Sequence, residues 1–422
     1  MYRSLSTNSW NQRHPVPAGG RAANARKAVD AGQTSGEMYR SLSTNSWYQR
    51  HPVPAGGRAG NARKAARAGL LRGRRTGHYQ LIAGINDTLF QPAAVRLTPE
   101  RQQTLVYFEG DVQDYPEVMQ AHRDNRNYLK WNLDSTARML GHNFPNKHIL
   151  IVRPSRIEYK SFSCYDNFVP SNNAGVPDHT PTHSALHHLE RLLQSVSSRL
   201  KAMPTTELID AVSTVSLPEE IDIEELHKAS LQQATAGGRS NGAQPEHKPE
   251  SDLLWWREKL ALDETRLTLV GFSKGCVVLN QVIYEFHYTK TLTPGDAHMM
   301  RFMERVEEMY WLDGGHAGGK NTWITSRSLL ETLTRLDVTV YVHVSPYQVG
   351  DAGRVWIGRE ERAFTALLHE LGARISRYLH EPSSPGTSNS LQTHFEVLAN
   401  FKRMQDSTPP AAQTTDSSDE DQ

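Results

Sequence analysis

The chain has 422 residues, a formal net charge of +1 at pH 7 and two cysteines. A nearly neutral chain offers no overall field for nucleic acid or an anionic membrane surface, and two cysteines cannot build a disulfide framework. No apolar stretch approaches the roughly 20 residues of a membrane-spanning helix, so we expect no transmembrane segment. The length allows one large domain or two ordinary ones.

The first 77 residues form a basic segment with an internal repeat. They contain fourteen Lys or Arg and two acids, and the peptide that begins at Met1 returns almost unchanged from Met38. An Arg-rich, acid-poor composition is typical of a mitochondrial transit peptide and also of a disordered basic tail. We predict a disordered basic leader over 1–77 that is a candidate presequence, and either methionine is open as the true start.

Strands and helices alternate from residue 104 onward. The predicted strands are 104–108, 148–153, 266–270, 309–312, 338–344 and 373–376, and the predicted helices are 126–140, 184–201, 276–282, 326–336, 360–371 and 391–401. This alternation predicts an α/β fold with a mostly parallel sheet and helices on both faces, over 78–403. The polar stretch at about 228–250 indicates a flexible insertion, and the acidic stretch 404–422 indicates a disordered tail.

The peptide Gly271-Phe272-Ser273-Lys274-Gly275 joins a predicted strand to a predicted apolar helix. This is the context of a nucleophile elbow, in which the glycines permit a sharp turn that exposes the serine hydroxyl. The pattern alone would occur by chance roughly one time in seven in a chain of this length. Because a strand precedes it and a helix follows it, we predict an α/β-hydrolase-like fold with Ser273 as the nucleophile.

A serine nucleophile needs a base, and the base needs an acid that orients it. In α/β-hydrolases the chain order is serine, acid, histidine. Asp351 follows the strand that ends at 344, and His394 stands at the head of the last helix, so we predict Ser273, Asp351 and His394 as catalytic residues. The open alternatives are Asp313 for the acid and His316 or His380 for the base.

An oxyanion hole requires amide donors beside the nucleophile. The residue after the serine supplies one donor, and a loop after an early strand supplies the second. We therefore predict an oxyanion hole at Lys274 and at Gly110 and Asp111, which follow the apolar strand 104–108. The side chain of Lys274 would also bring a positive charge close to the substrate.

Several longer peptides resemble one known family, in the same order. They are Tyr107-Phe108-x-Gly110-Asp111-Val112-Gln113-x-Tyr115, Phe162-Ser163-Cys164-Tyr165-Asp166-Asn167-Phe168, the stretch from Gly271 to Gln281, Met309-Tyr310-Trp311-Leu312-Asp313-Gly314-Gly315-His316, Asn321-Thr322-Trp323 and Pro346-Tyr347-Gln348-Val349. Through them the chain resembles the mitochondrial protein family named chromosome 2 open reading frame 69. The resemblance implies an α/β-hydrolase-like fold and mitochondrial residence, and it leaves enzymatic activity open.

Two functions are compatible with this pattern. The first is a mitochondrial serine hydrolase, in the matrix, that acts on an ester or thioester without a cofactor or a metal. The second is a catalytically inactive hydrolase-fold protein that acts as a binding or regulatory module. The expected partner is a small acyl substrate in the first case and a mitochondrial protein in the second, and nucleic acid is expected in neither.

Overall fold

The computed structural model describes residues 79–83, 86–208, 254–382 and 390–407. The strands in these ranges are β1 (Tyr79–Ala83), β2 (Asn86–Gln91), β3 (Gln103–Phe108), β4 (Lys147–Val152), β5 (Arg156–Glu158), β6 (Phe162–Cys164), β7 (Arg266–Phe272), β8 (Val306–Leu312), β9 (Thr339–Val344) and β10 (Ile375–Leu379). The helices are α1 (Pro116–Ala121), α2 (Leu133–Asn143), α3 (Ala185–Ala202), α4 (Cys276–Leu292), α5 (Ala297–Met303), α6 (Arg327–Arg335), α7 (Pro346–Val349), α8 (Val355–Glu370) and α9 (Leu391–Ser407).

Eight strands form one sheet in the order β1-β2-β4-β3-β7-β8-β9-β10. The six strands from β4 to β10 run parallel to their neighbours, whereas β2 is antiparallel to both β4 and β1. The carboxyl ends of the parallel strands therefore meet at one edge, where ligands bind in sheets of this kind. This arrangement is an α/β-hydrolase-like fold, and it confirms the predicted fold class.

The centre of the sheet is buried on both faces, as the parallel arrangement requires, whereas the edge strand β10 is only partly buried. Successive side chains of β3 alternate between the faces. Val106 and Phe108 belong to a core that includes α3, α4, α6 and α8. Leu105 and Tyr107 belong to a second core, which includes α2 and α9. The apolar stretch 105–108 of β3 is thus enclosed by helices on both sides.

Several elements differ from the predicted ones; α1, α5 and α7 were not predicted, and α4 is longer than the predicted helix 276–282. The antiparallel pair β1–β2 precedes the first predicted strand, and the predicted loop at 162–168 contains β6, which pairs with β5 in a small second sheet. The predicted helix 126–140 is divided into a 3-10 segment and α2, because the side chain of Asn132 caps α2 by accepting a hydrogen bond from the Ser135 amide (2.9 Å). Helix α9 continues to Ser407, beyond the predicted end of the domain at 403.

Three predicted segments lie outside the described residues. They are the leader 1–77, the insertion at about 228–250 and the part of the predicted tail 404–422 that follows residue 407. Within the described ranges, no helix combines the length and the apolar character that crossing a membrane demands.

A buried lysine joins three strands near their amino ends, at the edge of the sheet opposite Ser273. Lys147 Nζ donates to Thr268 Oγ1 (2.7 Å) and forms an ion pair with Glu308. We expect Lys147→Met to lower the free energy of unfolding by about 1–3 kcal/mol, because the acceptors lose a charged donor. Urea unfolding of the full chain measures this loss.

The matched control is Arg335→Met, which removes an exposed cation 4.0 Å from Glu331. An exposed ion pair contributes at most about 1 kcal/mol, so the midpoint of this variant should stay close to that of the wild type. Equal urea midpoints for Lys147→Met and Arg335→Met would contradict the stabilising role of the buried lysine.

Candidate functional site

Ser273 occupies a strained turn between β7 and α4. The turn is one 3-10 segment, Ser273–Gly275, and the φ angle of Ser273 is +52°. A residue other than glycine in this left-handed region costs about 1–3 kcal/mol, and it persists only where the surrounding packing holds it. The side chain of Ser273 lies beyond the carboxyl end of β7, at the edge of the sheet where ligands bind.

Close packing explains both glycines of the pentapeptide. A Cβ atom at Gly275 would lie 2.1 Å from the carbonyl oxygen of Phe108, at the end of β3. A Cβ atom at Gly271 would lie 2.9 Å from the amide nitrogen of Cys276. Neither position can hold a side chain without movement of the backbone, so Gly271 permits the tight turn itself and Gly275 permits its packing against β3.

Asp313 and His394 form a buried hydrogen-bonded pair. Asp313 follows β8 with a φ angle of +48°, and its side chain is fully buried. Its Oδ2 accepts a hydrogen bond from His394 Nδ1 (2.7 Å), and its two oxygens also accept from the amide (2.7 Å) and the hydroxyl (2.6 Å) of Ser345. Because a carboxylate only accepts, Nδ1 of His394 carries the proton and Nε2 is left to accept one.

The imidazole of His394 lies next to the turn that carries Ser273. Its ring stacks on that of Phe272, the residue before Ser273, with 4.5 Å between the centroids. The ring of Tyr347 lies 5.0 Å away. Within the described ranges, the hydroxyl of Ser273 has no hydrogen-bond partner. The structure therefore brings Ser273, His394 and Asp313 to one place, with the serine hydroxyl available.

Asp351, the acid predicted from the chain order, lies elsewhere. Its carboxylate accepts hydrogen bonds from the amide of Gly353 (2.7 Å) and from Nε of Arg354 (2.7 Å) in a surface turn. Partial burial acts to raise the pKa of Asp351, but these donors outweigh it and lower the pKa. The structure thus corrects the predicted pairing: Asp313, the alternative acid, is the hydrogen-bond partner of His394.

The two alternative histidines also make other contacts. His316 accepts from the amide of Gly318 (3.0 Å) and donates to the carbonyl of Asn321 (3.2 Å), so it holds its own loop together. His380 shares a hydrogen bond with His343 (2.9 Å). Burial lowers the pKa of His316 and of His380 to about 4, so both rings are neutral at pH 7.

Gly110 lies directly against the serine. A Cβ atom at Gly110 would be 2.7 Å from the Cβ of Ser273. The amide of Gly110, however, donates to Oε1 of Gln113 (3.1 Å) and is not free for a ligand. The amide of the next residue, Asp111, makes no hydrogen bond within the described ranges. Of the two predicted donors in this loop, the Asp111 amide is the available one.

Lys274 is buried although it carries a charge. Only 1% of its surface is exposed, and its Nζ donates to the carbonyl of Ala174 (2.7 Å) and lies 3.5 Å from Oδ2 of Asp111. Oδ1 of Asp111 accepts from the amide of Ser163 in β6 (2.8 Å). Burial raises the pKa of Asp111, and the Lys274 ammonium opposes this effect. The side chain of Lys274 therefore points into the protein beside the loop that follows β3.

Sequence reasoning did not single out Ser345 or Gln113 as contributors to the site. Ser345 follows β9, which is the neighbour of β8 in the sheet, so its hydroxyl reaches the carboxylate that follows β8. Gln113 occupies the Gly110 amide and also accepts from Tyr107 Oη (2.7 Å). A serine directly after a strand was a usable signal for Ser345, but nothing in the sequence pairs Gln113 with Gly110.

The packing at Gly275 leads to a test of the turn. We expect Gly275→Ala to destabilise the protein by about 3 kcal/mol, because the added methyl group meets the Phe108 carbonyl. The matched control is Gly295→Ala, where no atom lies within 4 Å of the added carbon, and a change within about 0.5 kcal/mol is expected. Thermal and urea unfolding measure both variants, and equal stabilities would contradict the tight contact between the turn and β3.

The buried histidines predict how stability depends on pH. The pKa of His316 is 6.5 when the ring is exposed in the unfolded chain and about 4 in the folded protein. Between these values the unfolded chain binds more protons, so the free energy of unfolding decreases as pH falls from 6.5 to about 4. Each such histidine contributes up to about 1.4 kcal/mol per pH unit. His316→Asn should flatten the pH dependence of urea unfolding in this window, and an unchanged slope would contradict the burial of a neutral ring.

Comparison with known proteins identifies the family. A profile of the C2orf69 family matches residues 80–374. The mitochondrial protein C2orf69 homolog of Mus musculus is 37% identical over 300 residues, which cover 71% of this chain and 78% of that protein. The mitochondrial protein C2orf69 of Homo sapiens is 34% identical over 306 residues, which cover 72% and 76%.

Among solved structures, the chain is similar to a thermostable esterase, with a TM-score of 0.32 and 12% identity. The match covers 78% of this chain and 62% of the esterase chain. That likeness is too low to support a statement about activity. The family profile and the two mammalian relatives agree with the peptides that the sequence shares with this family, and the chain belongs to the C2orf69 family.

Proposed function

We propose that this protein is a serine hydrolase that cleaves an ester or thioester. The observation that carries the proposal is the buried hydrogen bond from His394 to Asp313, beside a strained serine at the carboxyl edge of the sheet. In this account the turn at Ser273 is a nucleophile elbow. Ser273 is the nucleophile, His394 is the general base, and Asp313 is the acid that orients the imidazole.

The acylation step uses the tautomer that Asp313 imposes on His394. Ser273 Oγ attacks the acyl carbonyl carbon while Nε2 of His394 takes the hydroxyl proton. The positive imidazolium that forms is stabilised by the buried carboxylate of Asp313, which is also held by Ser345. The carbonyl π electrons move to oxygen, and when the intermediate collapses, Nε2 gives its proton to the departing alcohol or thiol. In deacylation, water repeats these steps on the acyl-serine and regenerates the free hydroxyl.

The negative oxygen of the intermediate requires amide donors. The amide of Lys274 is one of the first in the turn that leads into α4, and such amides lack partners within their helix. The amide of Asp111 is the second donor in this account, because that of Gly110 is engaged by Gln113. Two such donors face the developing charge, and removing one typically slows a hydrolase by about 10² to 10³.

The names of the relatives support a mitochondrial location. Both mammalian relatives are named mitochondrial proteins. We extend that location to this chain, with the matrix as the compartment and the basic leader 1–77 as the presequence that directs import. The substrate in this account is a small acyl ester or thioester.

One observation favours the second function, an inactive binding or regulatory module. Within the described ranges, Ser273 Oγ makes no hydrogen bond to His394. In hydrolases without substrate this contact is often long and tightens only when substrate binds. The absence of the bond therefore does not outweigh the pairing of His394 with Asp313, and labelling of the serine distinguishes the two functions.

A fluorophosphonate probe tests the serine hydrolase directly. We expect the purified full chain to be labelled at Ser273, and Ser273→Ala and His394→Ala to show no labelling. Asp313→Asn should slow labelling by about 10⁴, because an amide at this position favours the wrong imidazole tautomer. Asp351→Asn is the matched control, and it should label at the wild-type rate because its carboxylate contacts Arg354 instead.

Two results would contradict this proposal. A folded wild-type chain that is not labelled would point to the binding module. Loss of labelling in Asp351→Asn with normal labelling of Asp313→Asn would reassign the acid. Circular dichroism of each variant shows whether it is folded, so that a lost reaction is not confused with a lost structure.

A further inference from the structure

Asp111 and Lys274 each contribute both a main-chain amide and a charged side chain near Ser273. Asp111 and Lys274 carry the two amides of the proposed oxyanion hole, and their side chains form an ion pair, with Lys274 Nζ 3.5 Å from Asp111 Oδ2. They are 163 positions apart in the sequence and belong to different loops, one after β3 and the other after β7. The side-chain pair therefore joins the two segments whose amides must face one oxygen.

The two segments differ in how firmly the sheet holds them. The backbone of Lys274 is fixed by the turn, which packs against β3 through Gly275. The backbone of Asp111 lies three residues beyond the end of β3 and is followed by Val112 at a φ angle of +77°, so the sheet ladder does not hold it. The amide of Val112 donates to the carbonyl of Ser161 (2.9 Å), which fixes the far side of this loop.

The side chain of Asp111 fixes the near side of the loop. One carboxylate oxygen accepts from the amide of Ser163 and the other faces the ammonium of Lys274. Lys274 in turn donates to the carbonyl of Ala174, and Gly175 packs close to the ammonium, since a Cβ atom at Gly175 would lie 3.2 Å from Nζ. Burial of a lysine ammonium costs free energy, and the carbonyl of Ala174 and the carboxylate of Asp111 offset that cost.

We propose that the Asp111–Lys274 ion pair sets the separation and direction of the two oxyanion amides, so that both are positioning residues through their side chains. This inference rests on the proposed serine hydrolase. It predicts that removal of either side chain displaces the loop after β3 although both amides remain. A displacement of about 1 Å can slow a reaction by about 10².

A double-mutant cycle tests the pair. The variants are Lys274→Met, Asp111→Asn and the double variant, in the full chain, and the readouts are the rate of fluorophosphonate labelling and the hydrogen exchange of the peptide 109–113. We expect each single variant to label about 10² more slowly than the wild type. The double variant should label no more slowly than the slower single variant, because both remove one interaction.

The control cycle is Lys147→Met and Glu308→Gln with their double variant. This pair also joins a buried lysine to a carboxylate, but it lies at the opposite edge of the sheet. It should lower stability and leave both the labelling rate and the exchange of 109–113 at wild-type values. The control separates the general effect of losing a lysine–carboxylate pair from the specific effect of losing the Asp111–Lys274 pair.

The two readouts distinguish failure of the inference from failure of the proposed function. Labelling at the wild-type rate in Lys274→Met and Asp111→Asn, or single losses that multiply in the double variant, would overturn the inference and leave the hydrolase intact. If the wild type is not labelled, the proposed function fails, but hydrogen exchange still tests whether the Asp111–Lys274 ion pair holds the loop after β3. Faster exchange of 109–113 in both single variants supports this role of the ion pair, and unchanged exchange overturns it. Lys274→Arg keeps the charge. If Lys274→Met is folded but is labelled slowly, Lys274→Arg should be labelled faster than Lys274→Met.

Discussion

The contact between the turn after β7 and the end of β3 is the constraint on which the site depends. Gly275 lies against the carbonyl of Phe108, and Gly110 lies against Ser273, with no room for a side chain at either glycine. This packing holds Ser273 in a left-handed conformation that the serine would not adopt alone. It also brings the loop after β3 beside the start of α4, so the nucleophile and the oxyanion amides of the proposed enzyme share one structural cause.

Two polar pairs flank Ser273 and have different roles in the proposed mechanism. The Asp313–His394 pair fixes where a proton sits, because the carboxylate selects the imidazole tautomer. The Asp111–Lys274 pair joins the loop after β3 to the turn after β7, and in the proposed mechanism it sets where the two backbone amides sit. Each pair has further hydrogen-bonding partners, as burial of charged groups requires. The chemistry and the geometry of the site therefore rest on separate interactions.

The fold and the general place of the site could be predicted from the sequence, because they follow from alternating apolar strands and helices and from a glycine-flanked serine between them. The acid could not be chosen. Both Asp313 and Asp351 follow strands, and the choice depends on the left-handed φ angle of Asp313 and on the contact with Arg354 that draws Asp351 away. The oxyanion donor was equally undetermined, since the bond from Gly110 to Gln113 depends on a local loop conformation.

The proposed mechanism is tested most directly by a crystal structure of the full chain after reaction with a fluorophosphonate. We expect a phosphonyl group on Ser273 Oγ, with its free oxygen about 2.7–3.2 Å from the amides of Asp111 and Lys274. We also expect that His394 Nε2 faces the serine while Nδ1 stays on Asp313. A crystal that shows no adduct at Ser273, or an adduct whose oxygen points away from both amides, would contradict the account.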